Sequence, residues 1–271
     1  MIHIKTPEEI ELTSAACDLV SRTLGEVAKW VEPGVTTKRL DTIAREFILD
    51  NGGKPACLGY HGFPGTLCIE VNDMVVHGFP SNRTLNEGDI VGTDCVAELN
   101  GWHGDSCYTF AVGEIDEKAK ALLQTTYESL YKGIRAAKAG KRVGDVSNAV
   151  QSYVERRGYS VVREMCGHGI GASMHEDPEV PNYGRRGIGP VLKPGMIICI
   201  EPMINLGSKN VKFEKNGWEC RTRDGKPSAH YEHEIVIIDD EPRVLTTFTY
   251  VEEVLKSKGA FFPVLKFQAE G

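Results

Sequence analysis

The sequence predicts an α+β fold in which two similar halves build one mainly antiparallel sheet with helices on one side of it. A short sequence motif occurs twice, each time a few residues before an acidic residue. Residues 85–90 precede Asp94, and residues 192–197 precede Glu201, 107 positions later. Two helix-like segments stand upstream of each copy of this motif, and their glycine stops repeat at nearly the same offset. Two copies are too few for a solenoid, so we expect a duplicated fold around a pseudo-two-fold axis.

One domain is expected for the whole chain, 1–271. Its length and its 41% share of hydrophobic residues suffice for a large core, and no Pro/Ser-rich linker separates the halves. We therefore predict two pseudo-symmetric halves, about residues 5–115 and 116–255, followed by a short tail. The sequence of that tail, 258–271, indicates no role for it.

Helices open each half. Residues 6–9, Thr-Pro-Glu-Glu, form a capped start for a helix that runs toward Trp30. A second helix follows Thr37 and stops at Gly52, because glycine readily takes the left-handed conformation of a helix end. The second half repeats the pair, at about 116–139 and at 143–157 before Gly158. Alternating or apolar runs predict strands at 67–71, 90–99, 102–113, 197–204 and 230–238.

Asp94 and Asp105 belong to the clearest hairpin of the chain. An Asn-Gly dipeptide at 100–101 between two alternating runs predicts a two-residue turn, which places Val96 opposite Asp105. Asp94 then lies on the same face, and the Cα atoms of the two acids are expected roughly 7–8 Å apart. Two such carboxylates need a cation to stay ionised, although either acid alone could instead cap a turn or meet an arginine.

The second half supplies two more acids in strand-like sequence. Glu201 ends an apolar run immediately before Pro202, and Glu232 lies within the run 229–238. Four carboxylates in one cavity require roughly two divalent cations. His168, flanked by glycines, is a fifth candidate ligand, although alone such a histidine is more often structural. One nitrogen among oxygen ligands suits Mn, Fe, Co or Zn.

Composition excludes several classes of protein. The net charge of −7 without a basic block argues against nucleic-acid and anionic-membrane partners. Neither a signal peptide nor a membrane span is recognisable, so we expect a cytoplasmic protein. Eight scattered cysteines without a Cys-x-x-Cys pair predict reduced, partly buried thiols. A Cys166/His168 nucleophile pair is conceivable, but the two residues are too close in sequence to favour it.

Five motifs occur in a defined order along the chain. They are Val76-His77-Gly78-Phe79-Pro80, Gly92-Thr93-Asp94 with His103-Gly104-Asp105, Gly167-His168-Gly169-Ile170-Gly171 with Met174-His175-Glu176, Ile200-Glu201-Pro202-Met203, and His230-Tyr231-Glu232-His233. Over nearly its full length the chain resembles the type I methionine aminopeptidases of bacterial type. This resemblance implies the pita-bread fold, a pseudo-symmetric curved sheet with helices on its outer face. It also implies that a cytoplasmic monomer removes the initiator methionine of nascent chains near the ribosome.

The resemblance further implies five ligands for two divalent ions, and it leaves their identity open among Co, Mn, Fe and Zn. Asp94 would bind one ion, and Asp105 and Glu232 would bridge both. His168 and Glu201 would complete the other. When bound, such ions polarise the substrate carbonyl and acidify a water, and we expect Glu201 to act as general base or proton shuttle. Because the free α-amine of the substrate would bind near Asp94, only N-terminal residues would be cut.

Substrate-side residues also follow from the resemblance. His77 would position the scissile amide or leaving amine, and His175 would donate to the developing oxyanion; His103 is expected to be structural. Phe63 and Met174 stand where tyrosine and phenylalanine are common in the family, so the width of the methionine pocket stays open. Without the resemblance, ordinary core packing is the expected role of the pocket residues. They are Cys57, Tyr60, Phe63, Cys68, Met174 and Trp218.

Two alternatives remain from the sequence. An Xaa-Pro aminopeptidase or dipeptidase of the same fold would use the same five ligands on another substrate. A non-catalytic binding module on this scaffold would have lost ligands, and all five are present. Turnover of Met-Ala-Ser against Ala-Pro-containing peptides separates these possibilities.

Overall fold

The computed structural model describes residues 1–239 and 241–266, so part of the tail 258–271 lies outside the described residues. Within them, five α-helices form, and none of these is long and apolar enough to cross a membrane. The helices are α1 Pro7–Ala28, α2 Thr37–Asp50, α3 Glu117–Ala136, α4 Val143–Glu155 and α5 Thr249–Lys258. The strands are β1 Lys54–Pro55, β2 Leu67–Val71, β3 Met74–Val76, β4 Ile90–Leu99, β5 Trp102–Ala111, β6 Ser160–Val161, β7 Gly167–Gly169, β8 Glu176–Val180, β9 Ile197–Ile200, β10 Met203–Asn205, β11 Val211–Phe213, β12 Cys220–Thr222, β13 Ser228–His230, β14 His233–Val236 and β15 Arg243–Val244.

The four predicted helices form where their sequence signals place them. The Thr6 side chain accepts a hydrogen bond from the backbone of Glu9, and the Glu9 carboxylate accepts one from the backbone N–H of Thr6, which completes a capping box for α1. Asp116 caps α3 in the second half. Gly52 and Gly158, which follow α2 and α4, have positive φ as the helix stops require. The sequence prediction missed α5.

Three strand predictions are wrong in extent, and the mildest case is the run 102–113, whose strand ends at Ala111. The run 197–204 breaks into β9 and β10, because Pro202 has no N–H to donate to a ladder. The run 230–238 breaks between β13 and β14, where Tyr231 and Glu232 turn toward β5: the Tyr231 hydroxyl donates to Thr109 O, and Glu232 N donates to Cys107 O. At each break an acidic residue, Glu201 or Glu232, lies outside the strand ladders, whereas a continuous strand would have included it.

The described strands pair antiparallel throughout, as predicted, but they divide into four sheets instead of one. One sheet has the order β1-β4-β2 with β5 on β4, and another has the order β15-β14-β9-β7-β8. The remaining two are β13-β10-β6 and β11-β12-β3. Since β14 pairs with β9 and β13 with β10, the two breaks separate ladders that continuous strands would have joined.

Helices pack on the faces of β5 and β9 opposite the acids. A Cβ at Gly104 would lie 2.5 Å from backbone atoms of Ala16 and Cys17, so α1 crosses β5 at this glycine, one residue from Asp105. In the second half, Gly133 of α3 faces the side chain of Ile200. The adjacent Asp105 and Glu201 side chains therefore emerge on the far side of their strands.

One hydrophobic cluster contains residues of both halves. Within it, Tyr108 of the first half and Tyr231 of the second make an edge-to-face contact with centroids 5.0 Å apart, and Phe248 packs edge-to-face on Tyr108 at 4.9 Å. All eight cysteines are free, and seven of them are buried, which agrees with the predicted burial of the thiols.

Candidate metal centre and active site

Asp94 and Asp105 are presented by the β4–β5 hairpin in the predicted register. Val96 pairs with Asp105, and Asp94 pairs with Cys107. Both residues of the Asn-Gly loop have positive φ, 53° and 84°, as the two-residue turn requires. The two acids are therefore diagonal neighbours on one face of the ribbon.

Glu201 and Glu232 come from the second half, at the two strand breaks. Ile200 packs toward α3, so the Glu201 side chain points away from the helices. The backbone of Glu232 is tied to β5 of the first half: its N–H donates to Cys107 O at 2.9 Å, and Ser106 Oγ donates to its carbonyl at 2.8 Å. These hydrogen bonds hold Glu232 at the seam between the halves.

His168 lies on β7 between two glycines that the packing requires. A Cβ at position 167 or 169 would lie 2.3 Å or 2.2 Å from a neighbouring backbone carbonyl oxygen. His168 Nδ1 donates to Gly169 O at 2.9 Å, which leaves Nε2 with its lone pair toward the acids. This atom lies 3.7 Å from Asp105 Oδ2 and 3.6 Å from Glu201 Oε1. Burial lowers the pKa of His168 to about 4, so the imidazole is neutral near pH 7.

Among the described residues, no lysine or arginine pairs with these four acids. Burial, with repulsion among the acids, raises the pKa of Asp105, Glu201 and Glu232 well above the usual range, and burial raises that of Asp94 to about 6. One buried oxygen of each of Asp94, Asp105 and Glu232 has no hydrogen-bond partner in the described part of the chain. Ligand atoms of Asp105, His168 and Glu232 lie within 4.8 Å of one another. This oxygen-rich, nitrogen-containing set fits divalent cations.

A single cavity of about 610 Å³ contains all the predicted site residues. Its described lining includes further acids and no lysine or arginine. The predicted residues that line it are Cys57, Tyr60, Phe63, Cys68, His77, Asp94, Asp105, His168, Met174, His175, Glu201, Trp218 and Glu232.

One wall of the cavity is apolar. Cys57, Phe63, Cys68 and Met174 belong to one buried cluster, against which Trp218 packs with its ring centroid 5.3 Å from that of Phe63. In the β2–β4 ladder Cys68 pairs directly with Asp94. The apolar wall thus ends at the acids.

Two histidines stand beside this wall. The Tyr60 hydroxyl oxygen lies 3.1 Å from Nδ1 of His175, and the His175 ring lies 4.5 Å from that of His168. In the tautomer whose Nδ1 accepts from Tyr60, Nε2–H is left as a donor. His77 has a left-handed φ of 59° and contacts Trp218 edge-on at 5.7 Å. Burial lowers the pKa of His77 to about 4 and lowers that of His175. His103 does not line the cavity; its Nδ1 lies 3.0 Å from the backbone carbonyl oxygen of Gly171.

Sequence reasoning missed several residues at this site. An acidic rim also lines the cavity, and the acid-rich run 175–179 was the available signal. The rim residues are Glu164, Glu176, Asp177 and Glu179. Glu234, which is fully buried, accepts a hydrogen bond from Asp105 N at 3.0 Å behind the cluster. Cys199 also approaches Asp105, His168 and Glu232.

Residues 11–239 match the family profile of metallopeptidase family M24. The chain belongs to this family. The M24 relatives include a methionine aminopeptidase from Clostridium perfringens, 50% identical over 91% of this chain and 99% of the relative. A methionine aminopeptidase 1 from Bacillus subtilis is 48% identical over the same shares. This M24 chain is therefore an aminopeptidase-type hydrolase that uses divalent metal.

Comparison with solved structures also identifies methionine aminopeptidases as similar to this chain. A methionine aminopeptidase from Thermotoga maritima superimposes with a TM-score of 0.89 at 43% identity, covering 91% of this chain and 100% of that one. A prolidase from Pyrococcus furiosus has a TM-score of 0.74 at 22% identity and covers 90% of this chain and 65% of its own, which shows the shared fold alone. The pita-bread fold implied by the sequence is confirmed.

Proposed function

We propose that this M24 enzyme removes the N-terminal initiator methionine from nascent polypeptides in the cytoplasm. The observation that carries the proposal is one cavity in which the five ligand candidates lie beside an apolar wall. We further propose that residues 1–271 act as one catalytic domain and as a monomer near the ribosome. The hydrophobic cluster shared by both halves supports the single domain.

We propose that two divalent ions occupy the centre. Four buried carboxylates around a neutral imidazole carry a charge that two divalent cations balance. Asp94 would hold one ion, His168 and Glu201 would hold the other, and Asp105 and Glu232 would contribute ligand oxygens to both. Bound divalent ions supply Lewis acidity that polarises the scissile carbonyl and lowers the pKa of a water. Co, Mn, Fe and Zn all suit these ligands, and availability decides among them.

Glu201 moves the proton. Its carboxylate accepts a proton as the water oxygen bonds to the carbonyl carbon, and it passes that proton to the amide nitrogen as the C–N bond breaks. The products are free methionine and a shortened chain with a new amino group. Asn182 Nδ2 donates to the Glu201 carbonyl oxygen at 2.9 Å and fixes the backbone of the base. A fixed base can act on both the water and the amine without reorganising.

The two histidines act on the substrate. His175 donates from Nε2 to the carbonyl oxygen as negative charge develops, because Tyr60 already occupies Nδ1. His77, neutral through burial, positions the scissile amide and the leaving amine.

The apolar wall of the cavity binds the side chain of the substrate's first residue. The acids at the end of this wall restrict cleavage to the N-terminus of the substrate. A methionine thioether packs well against thiols and aromatic edges. Since Cys68 is the cross-strand neighbour of Asp94, a residue seated on this wall places its α-amine beside the Asp94 carboxylate. Only the first residue of a chain has such an amine, so cleavage is confined to N-termini. Glu164 and Glu179 of the acidic rim attract cationic N-termini to the cavity mouth, whereas Glu176 is paired with Lys5.

The test is a peptide comparison with the full chain loaded with Mn or Co. Met-Ala-Ser should be cleaved, and norleucine and leucine analogues should be slower, because a change of one group in an apolar pocket is worth about 1–3 kcal/mol. Ala-Pro-containing peptides should be resistant. Preferential cleavage of the Ala-Pro peptides would favour an Xaa-Pro peptidase instead. No turnover of any peptide by metal-loaded protein would favour a binding module.

A further inference from the structure

A second buried cluster of ligand-type side chains lies behind Asp94. Glu70 of β2, Cys107 of β5 and His230 of β13 meet there, at 3%, 0% and 2% exposure. Their candidate ligand atoms lie within 4.8 Å of one another. None of the three belongs to the proposed two-ion centre, and none lines its cavity.

The fold makes room for this cluster at one glycine. Glu70 pairs with Gly92 across the β2–β4 ladder, and a Cβ at Gly92 would lie 2.5 Å from Glu70 Oε2. Any other residue at position 92 would displace the carboxylate. The space beside Gly92 is therefore filled by a buried acid and not by apolar packing.

The spacing of the three side chains matches shared coordination. Glu70 Oε2 lies 3.2 Å from His230 Nδ1 and 3.9 Å from Cys107 Sγ. Two ligands of one tetrahedral ion, with bonds of about 2.0–2.3 Å, lie about 3.3–3.6 Å apart. Small side-chain adjustments would bring all three atoms into the coordination shell of one cation.

The metal-free cluster leaves its polar groups incompletely satisfied. Burial raises the pKa of the Glu70 carboxyl, and the one ion-pair partner of Glu70 among the described residues is the His230 imidazole. His230 Nε2 is buried and has no hydrogen-bond partner within the described ranges. A buried carboxylate that has an imidazole beside it, but no lysine or arginine partner among the described residues, lacks a permanent positive charge to compensate its own.

We propose that Glu70, Cys107 and His230 form a further cation site, separate from the two-ion centre and distinguished from it by a thiolate ligand. A carboxylate, a thiolate and a neutral imidazole balance one divalent ion. Mixed oxygen, sulfur and nitrogen ligands suit Zn or Co and exclude Mg and Ca. Binding displaces one proton from the Cys107 thiol to solvent and forms the metal–sulfur bond.

Cobalt gives the site a spectroscopic signature that the five proposed ligands of the two-ion centre, which include no thiol, do not produce. The full chain is freed of metal with a chelator and titrated anaerobically with Co²⁺. We expect a near-ultraviolet thiolate-to-cobalt charge-transfer band, which Cys107→Ser abolishes. Cys95→Ser, a matched buried thiol on β4, retains the band. Cys199→Ser also retains it, although Cys199 lies near the other cluster.

Stoichiometry provides the second measurement. Glu70→Gln keeps the thiol but should lower the bound cobalt by one equivalent, as should Cys107→Ser. If Cys107→Ser does not fold, Glu70→Gln and His230→Gln carry the test. A band that survives Cys107→Ser, a band that Cys199→Ser removes, or cobalt binding without any band would overturn the proposal. None of these outcomes depends on peptidase activity, so failure of the proposed function is recognised separately.

Discussion

Asp105 gives the sharpest test of the acid cluster, because one substitution should affect stability and activity in opposite directions. Asp105→Asn replaces a buried carboxylate by an amide of the same shape. Ligand atoms of Asp105 and Glu232 lie within 4.8 Å of each other. With an effective dielectric constant of 20, two unit charges at that distance repel by about 3 kcal/mol. In chelator-treated protein at pH 8, the substitution should raise the free energy of unfolding by about this amount, since the cost arises whether Asp105 ionises or retains its proton.

Thermal unfolding measures the effect. At about 2–4 °C per kcal/mol for a chain of this size, Asp105→Asn should unfold several degrees above the parent protein in chelator and lose that advantage when Mn²⁺ is added. Peptide turnover should fall by more than about 10²-fold, because even outer-shell partners of metal ligands commonly cost 10–100-fold. Glu253→Gln, an exposed acid, is the control and should change neither property. An unchanged or lowered unfolding temperature of Asp105→Asn in chelator would refute the electrostatic argument.

Three further substitutions address other parts of the site. His175→Ala should lower kcat by about 10²–10³-fold with little change in KM; a rise in KM alone would contradict the oxyanion role. Burial raises the pKa of Glu234 to about 8 from 4.5, so in metal-free protein its contribution to stability is complete below pH 4.5 and is lost as the pH rises through 8. Glu234→Gln still accepts the hydrogen bond from Asp105 N and should flatten this decline in the free energy of unfolding. At about 1.4 kcal/mol per pKa unit, the decline in the parent protein would amount to a few kcal/mol. An unchanged pH profile of the variant in denaturant titrations would count against this reasoning. Lys5 Nζ lies 2.6 Å from the Glu176 carboxylate with its side chain 1% exposed, so Lys5→Met should cost roughly 2–4 kcal/mol of unfolding free energy, below the cost for a fully buried pair. Glu176→Gln added to Lys5→Met should restore most of it, and a double variant no more stable than Lys5→Met would refute the pairing.

Local signals account for what the sequence predicted well. The Asn-Gly turn fixes the β4–β5 register within a few residues, so the relation of Asp94 to Asp105 follows from counting along two strands. Helix caps at Thr6 and Asp116 are equally local, and the starts of α1 and α3 agree with prediction. The contact between the two halves at the site was inferred from the repeated sequence motif and the five ordered motifs. No local rule predicts that Glu201 and Glu232 lie near Asp105.

Features that depend on contacts between residues distant in sequence could not be predicted from local sequence patterns. Glu70 and His230 are 160 positions apart and meet only because β13 crosses β5 through the hydrogen bond of Thr109 Oγ1 to His230 O. Periodicity predicted a continuous strand over 230–238, since Tyr231 and Glu232 fit its pattern. Their departure from the ladder depends on acceptors on β5 that no local pattern reveals.

The placement of acids at the seam links folding to ion binding. The backbone of Glu232 is held by Cys107 and Ser106 of the other half, so the same hydrogen bonds that join the halves force the carboxylates together. Without cations, the repulsion among the acids therefore opposes the joining of the halves. Bound cations replace that repulsion by attraction between each cation and the acids around it. Ions that bind only the folded chain stabilise it by about 1.4 kcal/mol for each tenfold excess over their dissociation constant. A duplicated fold with acids on both sides of its seam is consequently most stable in the metal-loaded form that the proposed hydrolysis requires.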